Sequence, residues 1–92
     1  MSIYEAAEAR DSVEQSLRDL QWLVIETLIH RKEVLDTQRE FEVLVKAGKV
    51  NDFTQFVYRE RFRRSLRDID DMLRLIYQQR SIAKLQLRKL VG

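Results

Sequence analysis

Apolar residues in the second half of the chain fall at Phe62, Leu66, Ile69, Leu73, Ile76, Ala83, Leu87 and Leu90. The steps alternate between four and three residues with one interruption, at Arg80. Such spacing lines one stripe of a helix for about four heptads, long enough for coiled-coil-like packing. The first half carries a similar stripe through Val13, Leu17, Leu20, Val24, Leu28, Leu35, Phe41 and Val45. It is less regular, with Arg31 and Gln38 inside it.

Between the stripes lies Ala47-Gly48-Lys49-Val50-Asn51-Asp52. Gly48 can take the left-handed conformation that ends a helix. Asp52 can cap the next helix, with Gln55 completing a capping-box pattern. Ser2 and Glu5 form a second such pattern, and Asp11 and Ser12 are candidates for a break. The expected order is an N-terminal segment 1–11, a long helix 12–47, a turn 48–52 and a second long helix 53–91, all in one domain. Whether the segment is a short separate helix or the start of a continuous rod stays open.

A turn this short makes the helices antiparallel neighbours. Facing residues should then have numbers summing to about 100. The apolar pairs Val24/Ile76, Leu28/Met72, Val34/Leu66 and Leu44/Phe56 obey this rule. So do the opposite charges Asp11/Lys89, Glu26/Arg74, Lys32/Asp68, Glu33/Arg67 and Asp36/Arg64. Exposed pairs contribute only about 0–1 kcal/mol each, so they select register more than they hold the fold. Ser16-Leu17-Arg18-Asp19-Leu20 nearly recurs as Ser65-Leu66-Arg67-Asp68-Ile69, an echo that an internal duplication would leave but that amphipathic patterning alone can also produce.

Composition narrows what can stabilise this hairpin. Ninety-two residues allow one small core. Cysteine is absent and His30 is the single histidine, so disulfides and thiolate or multi-histidine zinc sites are excluded. Proline is absent too, which lets helices run long. What remains is regular helix packing or association with another chain. Residues 22–25 form the longest apolar run, far short of a membrane span, and Glu5 and Glu8 stand where a signal peptide would be basic. A cytoplasmic protein with no membrane partner is expected.

Around Trp22-Leu23-Val24-Ile25 the apolar residues stop respecting one face. With Leu20, Leu28 and Ile29 they wrap well over half the helix. A helix apolar nearly all round is buried nearly all round, and one hairpin partner covers only one face. Leu20, Trp22, Leu23, Ile25 and Ile29 are therefore the candidate partner-binding residues, with Trp22 as anchor. The occupant would be a second copy, in a homodimer or higher assembly, or a helical protein partner. The competing expectation is that Ile3, Tyr4, Ala6 and Ala7 fold back and cover the patch within the monomer. Arg31 and Arg80 interrupt the apolar stripes, where a charge must be paired or reach solvent.

The second helix carries ten basic residues against four acidic ones, and Arg59, Arg61, Arg63, Arg64 and Arg67 cluster near the turn. These five are candidates for phosphate or nucleic-acid binding. The competing reading has them facing acidic neighbours and solvent, in keeping with a net charge of only +2. His30 lies one turn from both Glu26 and Glu33, a spacing that can bind metal but also describes a solvated polar face.

The run Arg63-Arg-Ser-Leu-Arg-Asp-Ile-Asp70-Asp-Met-Leu-Arg-Leu-Ile-Tyr-Gln-Gln-Arg80 resembles the opening helix of the all-helical chorismate mutases. The resemblance implies an isomerase in which Arg63 and Arg80 hold substrate carboxylates. In that family the helix opens the chain and two more follow, supplying a lysine and other polar ligands; here it lies in the second half. No nucleophile–base constellation or Gly-rich phosphate loop accompanies it.

The expected fold is thus an all-α antiparallel helical hairpin, coiled-coil-like and completed as a bundle by oligomerisation. The expected role is a protein–protein interaction module (assembly factor, adaptor or small chaperone), not an enzyme, with no cofactor or metal. Nucleic-acid binding through residues 59–67 ranks below it.

Overall fold

In the computed structural model, which describes residues 2–91, the chain forms two long helices, α1 (Ile3–Lys46) and α2 (Asp52–Val91), joined as an antiparallel hairpin. Local chemistry sets each end. The Ser2 hydroxyl accepts from the Glu5 amide at 3.1 Å, and the Glu5 carboxylate accepts from the Ser2 amide at 3.4 Å. This reciprocal pair satisfies two amides that α1 would leave unpaired.

At the other end of α1 the Lys49 amide donates to Leu44 O and the Gly48 amide to Val45 O, at 3.1 and 3.0 Å. Gly48 makes this possible by adopting φ +72°, a conformation that costs any residue with a Cβ.

Helix α2 starts one residue earlier than the sequence suggests. Asn51, not Asp52, is its cap, accepting from the Thr54 amide at 2.8 Å. Gln55 sends its side-chain amide to Val50 O at 3.0 Å and so completes no capping box with Asp52. Asp52 instead occupies the first helical position, where a carboxylate meets the positive end of the helix dipole.

Of the two alternatives at Asp11 and Ser12, the continuous rod is the one observed: α1 runs unbroken from Ile3, not from residue 12, so no separate short N-terminal helix exists among the described residues. Asp and Ser each lower helix propensity by only about half a kcal/mol, and the surrounding Ala6, Ala7, Ala9, Arg10 and Glu14 favour helix. The Ser16 hydroxyl bonds to Ser12 O at 3.1 Å within the unbroken helix. The segment therefore cannot fold back over Trp22, and Ile3 and Tyr4 stay 87% and 83% exposed. Met1 of the expected segment 1–11 lies outside the described residues.

The hairpin divides into two packing units. The turn-proximal unit is residues 27–72. The turn-distal unit joins α1 up to Glu26 with α2 from Leu73 onward.

In the turn-proximal unit, Thr27, Arg31, Val34, Gln38, Phe41 and Val45 on α1 are buried or half-buried, alternating steps of four and three. Phe62, Leu66 and Ile69 answer them from α2. Leu28, which the apolar pattern placed in this stripe, is 45% exposed, and Thr27 is buried in its stead at 7%. The regular stripe of α2 sets the phase, and keeping to it requires polar residues at positions 27, 31 and 38. Two of the three have a partner across the hairpin. The Thr27 hydroxyl points to Met72 Sδ at 3.9 Å, and Arg31 Nε donates to Asp70 Oδ1 at 3.1 Å.

The turn-distal unit is more aliphatic. Val24, Ile76 and Ala83 are each 6% exposed, with Val13, Leu17, Leu20, Leu73, Leu87 and Leu90 half-buried around them. Burying side chains of the Val24 and Ile76 type contributes roughly 1.5–3 kcal/mol each.

The sum-to-100 register holds within a residue or so, since Thr27 meets Met72, Arg31 meets Asp70 and Glu42 meets Arg59. Particular partners differ from those expected. Asp36 pairs with Arg39 and Arg64 with Glu60, each on its own helix, and Glu33 lies 3.8 Å from His30. Neighbours one turn away are fixed by the helix itself, whereas outward-facing residues of different helices stand too far apart. Leu44 and Phe56 remain 45% and 69% exposed. Ser16–Leu20 and Ser65–Ile69 each bury their second and fifth residues at least partly, as an amphipathic helix requires.

Candidate functional site

In the turn-distal unit, residues 20–25 of α1 and 75–79 of α2 contain no charged side chain. An open groove lined by Ser16, Asp19, Leu20, Gln79, Ile82, Ala83 and Gln86 brings together one end of each stretch, Leu20 and Gln79. Val24 and Ile76 turn inward and are buried, which sends the remaining apolar residues outward. Trp22 is 64% exposed, and Leu23 and Ile25 are exposed beside it; Leu20 is half-buried at the seam. On α2, Leu75, Tyr77, Ile82 and Leu85 are exposed in turn. The result is an apolar band on the outer surface of both helices, uncharged over residues 20–25 and 75–79 and continued on α2 by Ile82 and Leu85.

The fifth candidate of the sequence reading, Ile29, belongs to the turn-proximal unit, where it is also exposed. The α2 half of the band escaped that reading. Its signal was available, because the register rule carries residues 22–25 onto 75–78, and Arg80 is the only charge between Arg74 and Lys84.

The basic cluster is a different kind of surface. Arg59 donates through Nε and Nη2 to both Glu42 carboxylate oxygens, each at 2.9 Å. Arg63 forms the same two-pronged contact with Glu60, and Arg64 lies 3.5 Å from that carboxylate. Arg61 sits over the Tyr58 ring, 5.5 Å from its centroid. Hydrogen bonding to Arg59 and Arg63 holds the Glu42 and Glu60 carboxyls below the usual carboxylate range, and the same bonds raise the two guanidiniums. Four of the five candidate phosphate ligands are thus already engaged; Arg67 is exposed.

Phe41, Tyr58 and Phe62 form an aromatic cluster next to Arg61, with Phe41 stacked 5.1 Å from Tyr58 and tilted 5.7 Å from Phe62. His30 and Glu33 line an open groove together with the Tyr58 and Phe62 rings. Among the described residues no group of three potential metal ligands converges. Arg63, one of the two arginines in the segment that resembles a chorismate-mutase helix, is occupied by Glu60, and Arg80 is half-buried at a seam position.

Among the described residues no helix is long and apolar enough to cross a membrane. No protein-family model, curated protein or solved structure matches the chain.

Proposed function

We propose that this chain is a protein–protein interaction module, an assembly factor, adaptor or small chaperone rather than an enzyme. It would self-associate or dock on a helical partner through the uncharged band around Leu20, Trp22, Leu23 and Ile25. The supporting observation is the exposure of Trp22 and its neighbours on a stretch whose inward positions are already filled by Val24 and Ile76. Exposed tryptophan set among aliphatic side chains is a strong anchor for helix packing, because its large surface leaves water when a partner arrives. No cofactor or metal enters this role, and the cytoplasm is its natural setting. The phosphate-binding reading draws no comparable support, since Glu42 already engages Arg59 and Glu60 is shared by Arg63 and Arg64.

The test is the pair of variants Trp22→Ala and Ile25→Asp, with native mass spectrometry of the complex and far-UV circular dichroism of the chain. Both positions are exposed, so helicity should stay near wild type while the complex is lost. An unchanged complex mass in both variants would exclude the band as an interface.

A further inference from the structure

The band raises the question of which surface covers it, and the charges that flank it bear on the answer. Along residues 2–26, α1 carries six acidic side chains (Glu5, Glu8, Asp11, Glu14, Asp19, Glu26) against Arg10 and Arg18, a net −4. From Leu73 onward α2 carries Arg74, Arg80, Lys84, Arg88 and Lys89 and no acidic residue, a net +5. The hairpin does not use this complementarity up. Glu8, Asp11 and Glu26 have no ion-pair partner among the described residues, and neither do Lys84, Arg88 and Lys89. The interhelical ion pairs Arg31–Asp70 and Arg59–Glu42 both belong to the turn-proximal unit.

We infer that the occupant of the band is a second copy of this chain, with α2 of one copy along α1 of the other and both hairpins pointing the same way. This rests on the reading of the band as an interface and names its partner. In that arrangement each acidic stretch of α1 meets the basic stretch of the partner's α2, and the symmetry repeats the match. With the copies in the same direction, placing α1 on α1 sets −4 against −4, and α2 on α2 sets +5 against +5. Opposed copies would set the acidic stretch against residues 27–46 of α1, which are net neutral. Only the α1–α2 pairing in parallel copies is attractive on both sides, so charge selects the orientation while the band supplies the burial.

Surface area agrees with the need for a partner. The chain leaves 7359 Å² accessible, about 1,700 Å² more than a folded monomer of this mass usually exposes. A stable interface takes roughly 800 Å² from each partner, well within that excess.

The experiment uses the full chain. Sedimentation equilibrium should give twice 11.1 kDa. One variant, Lys84→Glu/Arg88→Glu/Lys89→Glu, and a second, Glu8→Lys/Asp11→Lys/Asp19→Lys, should each associate at least about tenfold more weakly. Their equimolar mixture should recover a heterodimer near wild-type affinity. Inside each variant chain the reversed helix still lies beside like charge, so recovery reports contact between chains and not restored folding.

Should either variant lose helicity, the cysteine-free background offers a second readout. Gln21→Cys and Ser81→Cys chains should form a disulfide with each other faster than with themselves. A dimer whose charge variants show no recovery on mixing, with self-disulfides dominant, overturns the arrangement. A monomeric wild-type chain overturns the second copy itself. The interface reading would still stand if a monomeric chain held a stoichiometric different protein through Trp22 and Ile25. It would fall on its own if the dimer survived Trp22→Ala and Ile25→Asp.

Discussion

Near the turn, α1 and α2 are joined by groups that recognise each other individually. Arg31 reaches Asp70, Arg59 grips Glu42 with two bonds, and Phe41 stacks on Tyr58. Toward the termini the same two helices are held chiefly by burial of Val24, Ile76 and Ala83. The difference teaches how one simple fold divides its labour. Directional contacts resist sliding by a turn, because each shift would strand an ion pair or unstack a ring. Aliphatic burial is non-directional and tolerates further surface being added at its edge. The turn-proximal unit therefore sets register, and the turn-distal unit is suited to receive another helix.

The hardest way to break this contrast is at the distal core. Ile76→Asp would bury an unpaired carboxylate beside Val24 and should cost about 3–5 kcal/mol, enough to unfold a small domain. Urea titration followed by circular dichroism would show it. A loss under 1 kcal/mol would mean that burial at Val24 and Ile76 is not what holds this unit.

Gly48→Ala probes the turn that feeds the proximal register. The new Cβ would meet no atom within 4 Å, so the cost is that of the positive φ alone, about 1 kcal/mol. Thermal unfolding should shift by several degrees. A loss several times larger would show that the turn does more than end α1.

The smallest effect is expected on acidification, and it should fall on the proximal unit. Glu42 and Glu60 have carboxyls depressed below their ordinary range by Arg59 and Arg63. A group depressed on folding contributes stability that is complete above the unfolded value, about 4.3. That contribution is lost as pH falls from there through the lower folded value. Both pairs are solvent-exposed and screened, so the loss should be slight and further reduced by salt. NMR titration of the two glutamates would check it. Ordinary pKa values at both would remove the ion pairs from this account.

Much of this was legible in the letters. Heptad spacing from Phe62 to Leu90 and the Gly48 turn specify two antiparallel helices, because side-chain period and left-handed glycine act locally. The antiparallel register followed from turn length alone. The exposed patch at Trp22 was visible because residues 22–25 exceed what one facing helix can cover. Its α2 half emerges only when that excess is carried across the turn by the register, which sets residues 75–78 beside 22–25 and, with Ile76 and Ala83 inward, leaves Leu75 and Ile82 outside.

Helix, turn and the excess of apolar surface are written into the chain itself, because each depends on residues within a few turns of one another. Packing of one helix on the other is what puts Thr27 and not Leu28 at the seam, pairs Arg31 with Asp70, and sets Glu42 against Arg59. Those outcomes depend on which residue of the opposite helix stands within about 3 Å. A single helix period cannot specify that, since positions 27 and 28 differ by only one step of 100°. The packed partner chooses between them by where its own stripe lies.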